Sequence, residues 1–161
     1  MPGLLPFAER LGALLKARGG TAAASGSSSG GLASAALLAV PGASACFQGG
    51  AVVYTPSART ALLGTTGAET AGLRLSSACA ALLARTVRSR LGTAWGVAGT
   101  RAAGPGGNRH GGPAGHTCVA VSGPVKRFAT VRTGRAGRAA NMRAFARALL
   151  GTLTNAVTAR G

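Results

Sequence analysis

The sequence predicts an α/β fold: a three-layer α/β/α domain on a mixed sheet. Segments of helical period open and close the chain, and short runs of small or β-branched residues bounded by glycines lie between them. Helical and strand-like segments alternate along the chain, the pattern of a sheet covered on both faces. With 161 residues, 47% of them hydrophobic, and a mean hydropathy of +0.29, residues 1–161 fit one domain with a buried core.

Leu4, Phe7, Ala8, Leu11, Leu14, Leu15 and Arg18 recur at helical spacing, so residues 4–18 form an amphipathic helix closed by Gly19-Gly20. Residues 21–24 make a short strand, and SGSSSGG, residues 25–31, follows it. LASAALLAV is helical in composition and stops at Pro41-Gly42, which puts the serine-rich stretch at a strand-to-helix turn. AVVYT, from Ala51, follows Gly49-Gly50 and reads as a strand. Thr55-Pro56 opens a helix, with Thr as cap and Pro in the first turn. Leu73, Ala78, Leu82, Leu83, Val87 and Leu91 predict one long helix over 70–91. Residues 94–98 make a buried strand with Trp95 in the core. After the glycine-rich stretch 101–115, strands 117–122 and 127–132 form a hairpin around Gly123-Pro124, and 139–158 is the last helix.

Charge is the strongest compositional signal. Eighteen basic residues face two acids, Glu9 and Glu69, giving +16 with no Asp. All the basic residues but Lys16 and Lys126 are Arg, whose planar fork suits phosphate and carboxylate. A polyanion is the partner this balance predicts. Lys126, Arg127, Arg132, Arg135, Arg138, Arg143 and Arg147 bunch late in the chain and form the candidate contact surface. Phe128 and Phe145 lie among them, too few aromatics for a base-stacking platform.

Cys46, Cys79 and Cys118 have no metal-like spacing, and their odd number argues against a closed disulfide framework; they read as buried apolar residues in a reducing compartment. His110 and His116 have no Cys or acid at ligand spacing, so no metal site is expected. No apolar run reaches the roughly 18 residues of a membrane span. Glu9 and Lys16 interrupt any secretory signal, and the first residues read as a working helix.

Two chemistries compete for the serine-rich turn. Gly26-Ser27-Ser28-Ser29-Gly30 fits the G-x-S-x-G nucleophile elbow with Ser28 as nucleophile, but only Glu69 precedes the histidines as triad acid. The alternative is an anion cradle, in which backbone N–H groups near Gly30-Gly31 and the following helix hold a phosphate.

From about Leu4 to Val157 the chain resembles the CinA C-terminal domain family, whose active members are nicotinamide mononucleotide deamidases. The resemblance rests on AERLGALLKARG, SSSGGLASAALLAVPGASACFQGG, VVYTPSARTALLG, RLGTAWGVAGTRAAGPGG and GGPAGHTCVAV, in that order. It implies a mixed-sheet α/β/α fold related to the anticodon-binding-domain type. It also implies that Ser27 is the nucleophile, with Tyr54 at the end of the next strand and Arg59 at the family's activating Lys position. Gly26 stands where the family has Glu. By the same resemblance Ser29, Gly30, Gly31, Thr100, Gly104 and Gly106 line a ligand site; Arg101 replaces a family Gly, and Gly137, Arg138 and Ala139 align with a Gly-Asp-Arg segment.

The Lys-to-Arg change is chemically serious: a buried Lys can lose its proton and act as base, whereas Arg stays charged. The expected function is therefore a catalytically degenerate CinA-type domain acting as a basic structural or accessory subunit. An organellar ribosome or membrane complex would suit it, with the mitochondrial matrix as compartment and the cytoplasm as alternative. RNA phosphates or acidic protein surfaces are its expected contacts, a homo-oligomer is possible, and no cofactor is expected. The alternative is an active deamidase that uses Ser27.

Overall fold

The computed structural model describes residues 2–73, 76–100, 103–105 and 114–159. It contains a five-stranded mixed sheet with helices on both faces, as expected from the sequence. The strands are β1 (Ala22–Gly26), β2 (Phe47–Val52), β3 (Trp95–Thr100), β4 (His116–Ser122) and β5 (Arg127–Arg132), in spatial order β2-β1-β3-β4-β5. β1 runs parallel to β2 and β3, whereas β3/β4 and β4/β5 are antiparallel.

One face is covered by α1 (Leu5–Ala17), α2 (Leu32–Leu38) and α6 (Arg138–Thr158). Leu11 and Leu15 of α1, Leu37 of α2, and Leu149 and Leu153 of α6 pack there against Ala22, Ala24, Trp95, Val97, Val119 and Val121. The opposite face carries α3 (Pro56–Leu63), the one-turn α4 (Gly67–Thr70) and α5 (Ser77–Arg90). There Leu63, Ala80, Leu83 and Val87 meet Ala23, Ala98 and Ala120. The alternation along each strand thus sends neighbouring residues to different layers, and even the small residues of β1 are buried throughout.

Two elements differ from the sequence reading. β2 begins at Phe47 and ends at Val52, so Gly49-Gly50 lies inside the strand, whereas Thr55 caps α3 as expected. Pairing decides this: β2 must match β1, whose Gly26 aligns with Val52, and a Cβ on Gly50 would collide with Ser34 Oγ of α2. The expected helix over 70–91 begins only at Ser77, as α5, and α4 before it ends at Thr70. Thr66 and Glu69 cap α4 reciprocally, Gly72 takes a left-handed φ of 74°, and the Ser76 side chain accepts from Cys79 N to restart the helix.

Trp95 is buried, as are Cys46, Cys79 and Cys118, all three as free thiols. Phe145 belongs to the core of α6, whereas Phe128 on β5 is 55% exposed. Among the described residues no helix is long and apolar enough to cross a membrane, and no group of His, Cys, Asp or Glu could hold a metal ion.

Candidate functional site

The chain leaves β1 for α2 on one face and returns from β2 to β3 through α3–α5 on the other. The carboxyl ends of β1 and β3 therefore flank the point where the crossovers diverge, the place where open α/β sheets form a ligand crevice. Ser27 stands there. Its N–H bonds to the Gly99 carbonyl at 3.2 Å, and Val53 N bonds to the Gly26 carbonyl at 3.0 Å, so the turn is held between β2 and β3.

The turn that follows is tight. Gly30 and Gly31 have φ of 61° and 82°, a conformation L side chains rarely adopt, and a Cβ on Gly30 would lie 2.7 Å from Met142 Cε of α6. Ser27, Ser28 and Ser29 are all buried, at 8%, 4% and 3% exposure, so the stretch is a packed turn and not a linker. Among the described residues no side chain hydrogen-bonds the Ser27 hydroxyl, and Ser28 Oγ is buried without a partner. The expected cradle is weakly equipped, because α2 has only seven residues and the turn already uses the N–H groups of Gly30 and Leu32, which bond to Ser27 O at 3.4 Å and Ser29 O at 3.3 Å.

Arg59 lies on α3 and is half-buried, with its Nε enclosed and unpartnered among the described residues. Burial pushes the Cys79 thiol up, and the Arg59 charge partly offsets that rise. No hydrogen bond joins Arg59 to Ser27 among the described residues. Tyr54, 58% exposed, follows β2, and its hydroxyl accepts from Arg138 Nη2 at 3.2 Å. The same guanidinium donates Nη1 to the Gly104 carbonyl at 2.7 Å and lies 5.8 Å from the Tyr54 ring centre. Arg138, expected on the polyanion surface, thus ties the start of α6 to two residues expected at the site.

Thr100 is buried at 1% exposure; its hydroxyl donates to Ser76 O at 3.5 Å, and its carbonyl accepts from Thr117 Oγ1 at 2.8 Å. Gly104 precedes a cis bond to Pro105. Arg101, Gly106 and His110 lie outside the described residues. His116 begins β4, buried, in register with Arg132.

Asn141 is the organiser that sequence reasoning missed. Fully buried in α6, it donates through Nδ2 to Ala103 O and Arg135 O, both at 2.8 Å, and accepts from Thr133 Oγ1 at 2.5 Å. It thereby joins the loop after β3 to the segment after β5. Its signal in the sequence is faint: an Asn four residues before Phe145, at a position where the apolar pattern of the helix calls for a core residue.

Of the remaining expected contact residues, Lys126 and Arg127 sit at the β4–β5 turn, Arg132 ends β5, and Arg135 and Arg143 flank the start of α6; all are exposed. They lie along and beyond the β5 edge, with Arg138 alone drawn into the crevice.

The family model for the CinA C-terminal domain matches residues 5–157. The chain is 40% identical over 112 residues to a CinA-like protein of Prochlorococcus marinus, covering 69% of this chain and 26% of that protein. It is 37% identical over 129 residues to a CinA-like protein of Synechococcus elongatus, covering 78% of this chain and 30% of the relative. The chain therefore spans less than a third of the length of these curated relatives. Among solved structures, the competence/damage inducible protein CihA of Agrobacterium tumefaciens superposes with a TM-score of 0.87 at 27% identity, over 96% of this chain and 95% of that one. A CinA superfamily protein of Klebsiella pneumoniae gives 0.88 at 23% identity, over 96% and 97%, a likeness of fold.

Proposed function

The chain belongs to the CinA C-terminal domain family, and from that premise we propose that it is a catalytically degenerate, nicotinamide-nucleotide amidohydrolase-like domain working as a basic accessory subunit of a larger assembly. The carrying observation is Arg59. A serine hydrolase needs a group that takes the nucleophile's proton, and a guanidinium keeps its own at physiological pH. Arg59 neither bonds Ser27 nor offers a basic lone pair.

Binding capacity survives in this reading. Arg59 Nε and Ser28 Oγ are buried polar groups without partners among the described residues, and buried groups of that kind are ordinarily satisfied by a ligand or water. The Arg138 link between Tyr54 and Gly104 further supports a crevice that holds its shape while lacking a base.

Ammonia release from nicotinamide mononucleotide, measured on the wild-type protein beside Ser27→Ala, tests the proposal. Equal, background release from both is the expected result. Serine-dependent release would overturn it: Ser27 would then attack the carboxamide carbon, ammonia would leave, and water would free the acid from the acyl-serine. Activity that emerges only in the Gly26→Glu/Arg59→Lys double variant would locate the loss in those two positions.

A further inference from the structure

The face of α6 turned toward β5 carries a groove of about 610 Å³. Its floor is apolar and shallow: Val131 of β5, with Ala140, Ala144 and Ala148 one helical turn apart on α6. Arg135, Arg143 and Arg147 stand around it. Arg147 is steadied at one end, its guanidinium 5.1 Å from the centre of the Phe7 ring.

Among the described residues no ion pair joins these three cations to either acid of the chain. The chain has only Glu9 and Glu69 against eighteen basic residues, and Glu69 is engaged with Thr66 in the cap of α4. A second groove, of about 400 Å³ between α5 and the β4–β5 edge, differs in this respect, because Glu69 lines it beside Arg85 and Lys126. Of these two grooves, the one on α6 combines an apolar floor with charge of one sign.

We propose that this groove binds an acidic amphipathic helix of a protein partner, a refinement that rests on the accessory-subunit reading above. Arg143 and Arg147 are four residues apart on one helix, about 6 Å along its axis. Acidic side chains four residues apart on a facing helix have the same repeat. The alanine methyls leave room for that helix to approach, and its apolar face covers Val131. A nucleic-acid backbone matches the charge equally well but would place sugar and phosphate on aliphatic floor; among the described residues no aromatic ring lines that floor for a base to stack on, and the Phe7 ring at its end is occupied by Arg147. A second copy of this chain would bring further positive charge to a positive rim.

The test uses the full chain and three labelled probes: a helical peptide with Glu at i, i+4 and Leu on the opposite face, polyglutamate, and a single-stranded RNA of matching charge. The amphipathic peptide is expected to bind at least tenfold more tightly than polyglutamate or RNA. Arg143→Ala/Arg147→Ala and Ala144→Trp, which fills the floor without changing charge, should each weaken it about tenfold. Hydrogen exchange on the wild-type protein, which needs no variant, should show new protection over 127–132 and 139–148. RNA or polyglutamate binding as tightly as the peptide, indifference to Ala144→Trp, or protection elsewhere would overturn the proposal. Ammonia release measured on the same preparation separates the two readings: serine-dependent turnover sinks the degenerate-enzyme proposal alone, and loss of peptide binding sinks the groove alone.

Discussion

Arg59 carries the proposed loss of a base, and Asn141 ties together the loops beside the crevice. Arg59 was legible from the sequence, because the chemistry of a guanidinium is a property of the residue type. Asn141 was not, because its importance lies in three bonds to residues that the chain brings together only on folding. Replacing it by Ala leaves the Ala103 and Arg135 carbonyls and the Thr133 hydroxyl without that partner. Unsatisfied buried groups cost about 1–3 kcal/mol each before relaxation. Asn141→Ala is therefore expected to lower stability by about 2–4 kcal/mol in urea denaturation; a change below about 0.5 kcal/mol would show that the loop after β3 is held by other contacts.

Among the elements, capping and burial make unequal contributions. Thr55 caps α3 by accepting from Ala58 N at 3.1 Å at an exposed site, so Thr55→Ala is expected to cost about 1 kcal/mol. Leu149 of α6 is 1% exposed and belongs to the larger core cluster, so Leu149→Ala is expected to cost about 2–5 kcal/mol through lost transfer energy and the cavity left behind. Thermal melts of the two variants should rank them in that order, and a reversal would mean that the core around α6 closes over the gap. The amphipathic period of α1 and the length of α6 were readable because one face of each is buried against a sheet. The boundary of β2 was not, since Gly49-Gly50 looks like a turn until α2 is seen crossing it.

For the molecule as a whole, a net charge of +16 on 161 residues sets the dominant long-range term. Like charges oppose compaction, and with only two acids there is little internal attraction for salt to weaken. Raising the salt from low to physiological concentration should therefore stabilise the fold; about 1 kcal/mol of relieved repulsion corresponds to a rise of roughly 2–4 °C in Tm. A falling Tm in the same calorimetric series would show that ion pairs outweigh repulsion.

By itself the sequence determined the α/β/α layering, the serine-rich strand-to-helix turn, the family and the presence at position 59 of an Arg, which stays charged. Each of these follows from local periodicity or from what a side chain is. Tertiary structure alone decided that Arg138 links Tyr54 to Gly104, that Asn141 gathers two distant loops, and that Arg135, Arg143 and Arg147 share one groove. Those facts depend on which strands pair and which helix crosses them, and the antiparallel return of β4 and β5 brings α6 back across the sheet to the turn after β1.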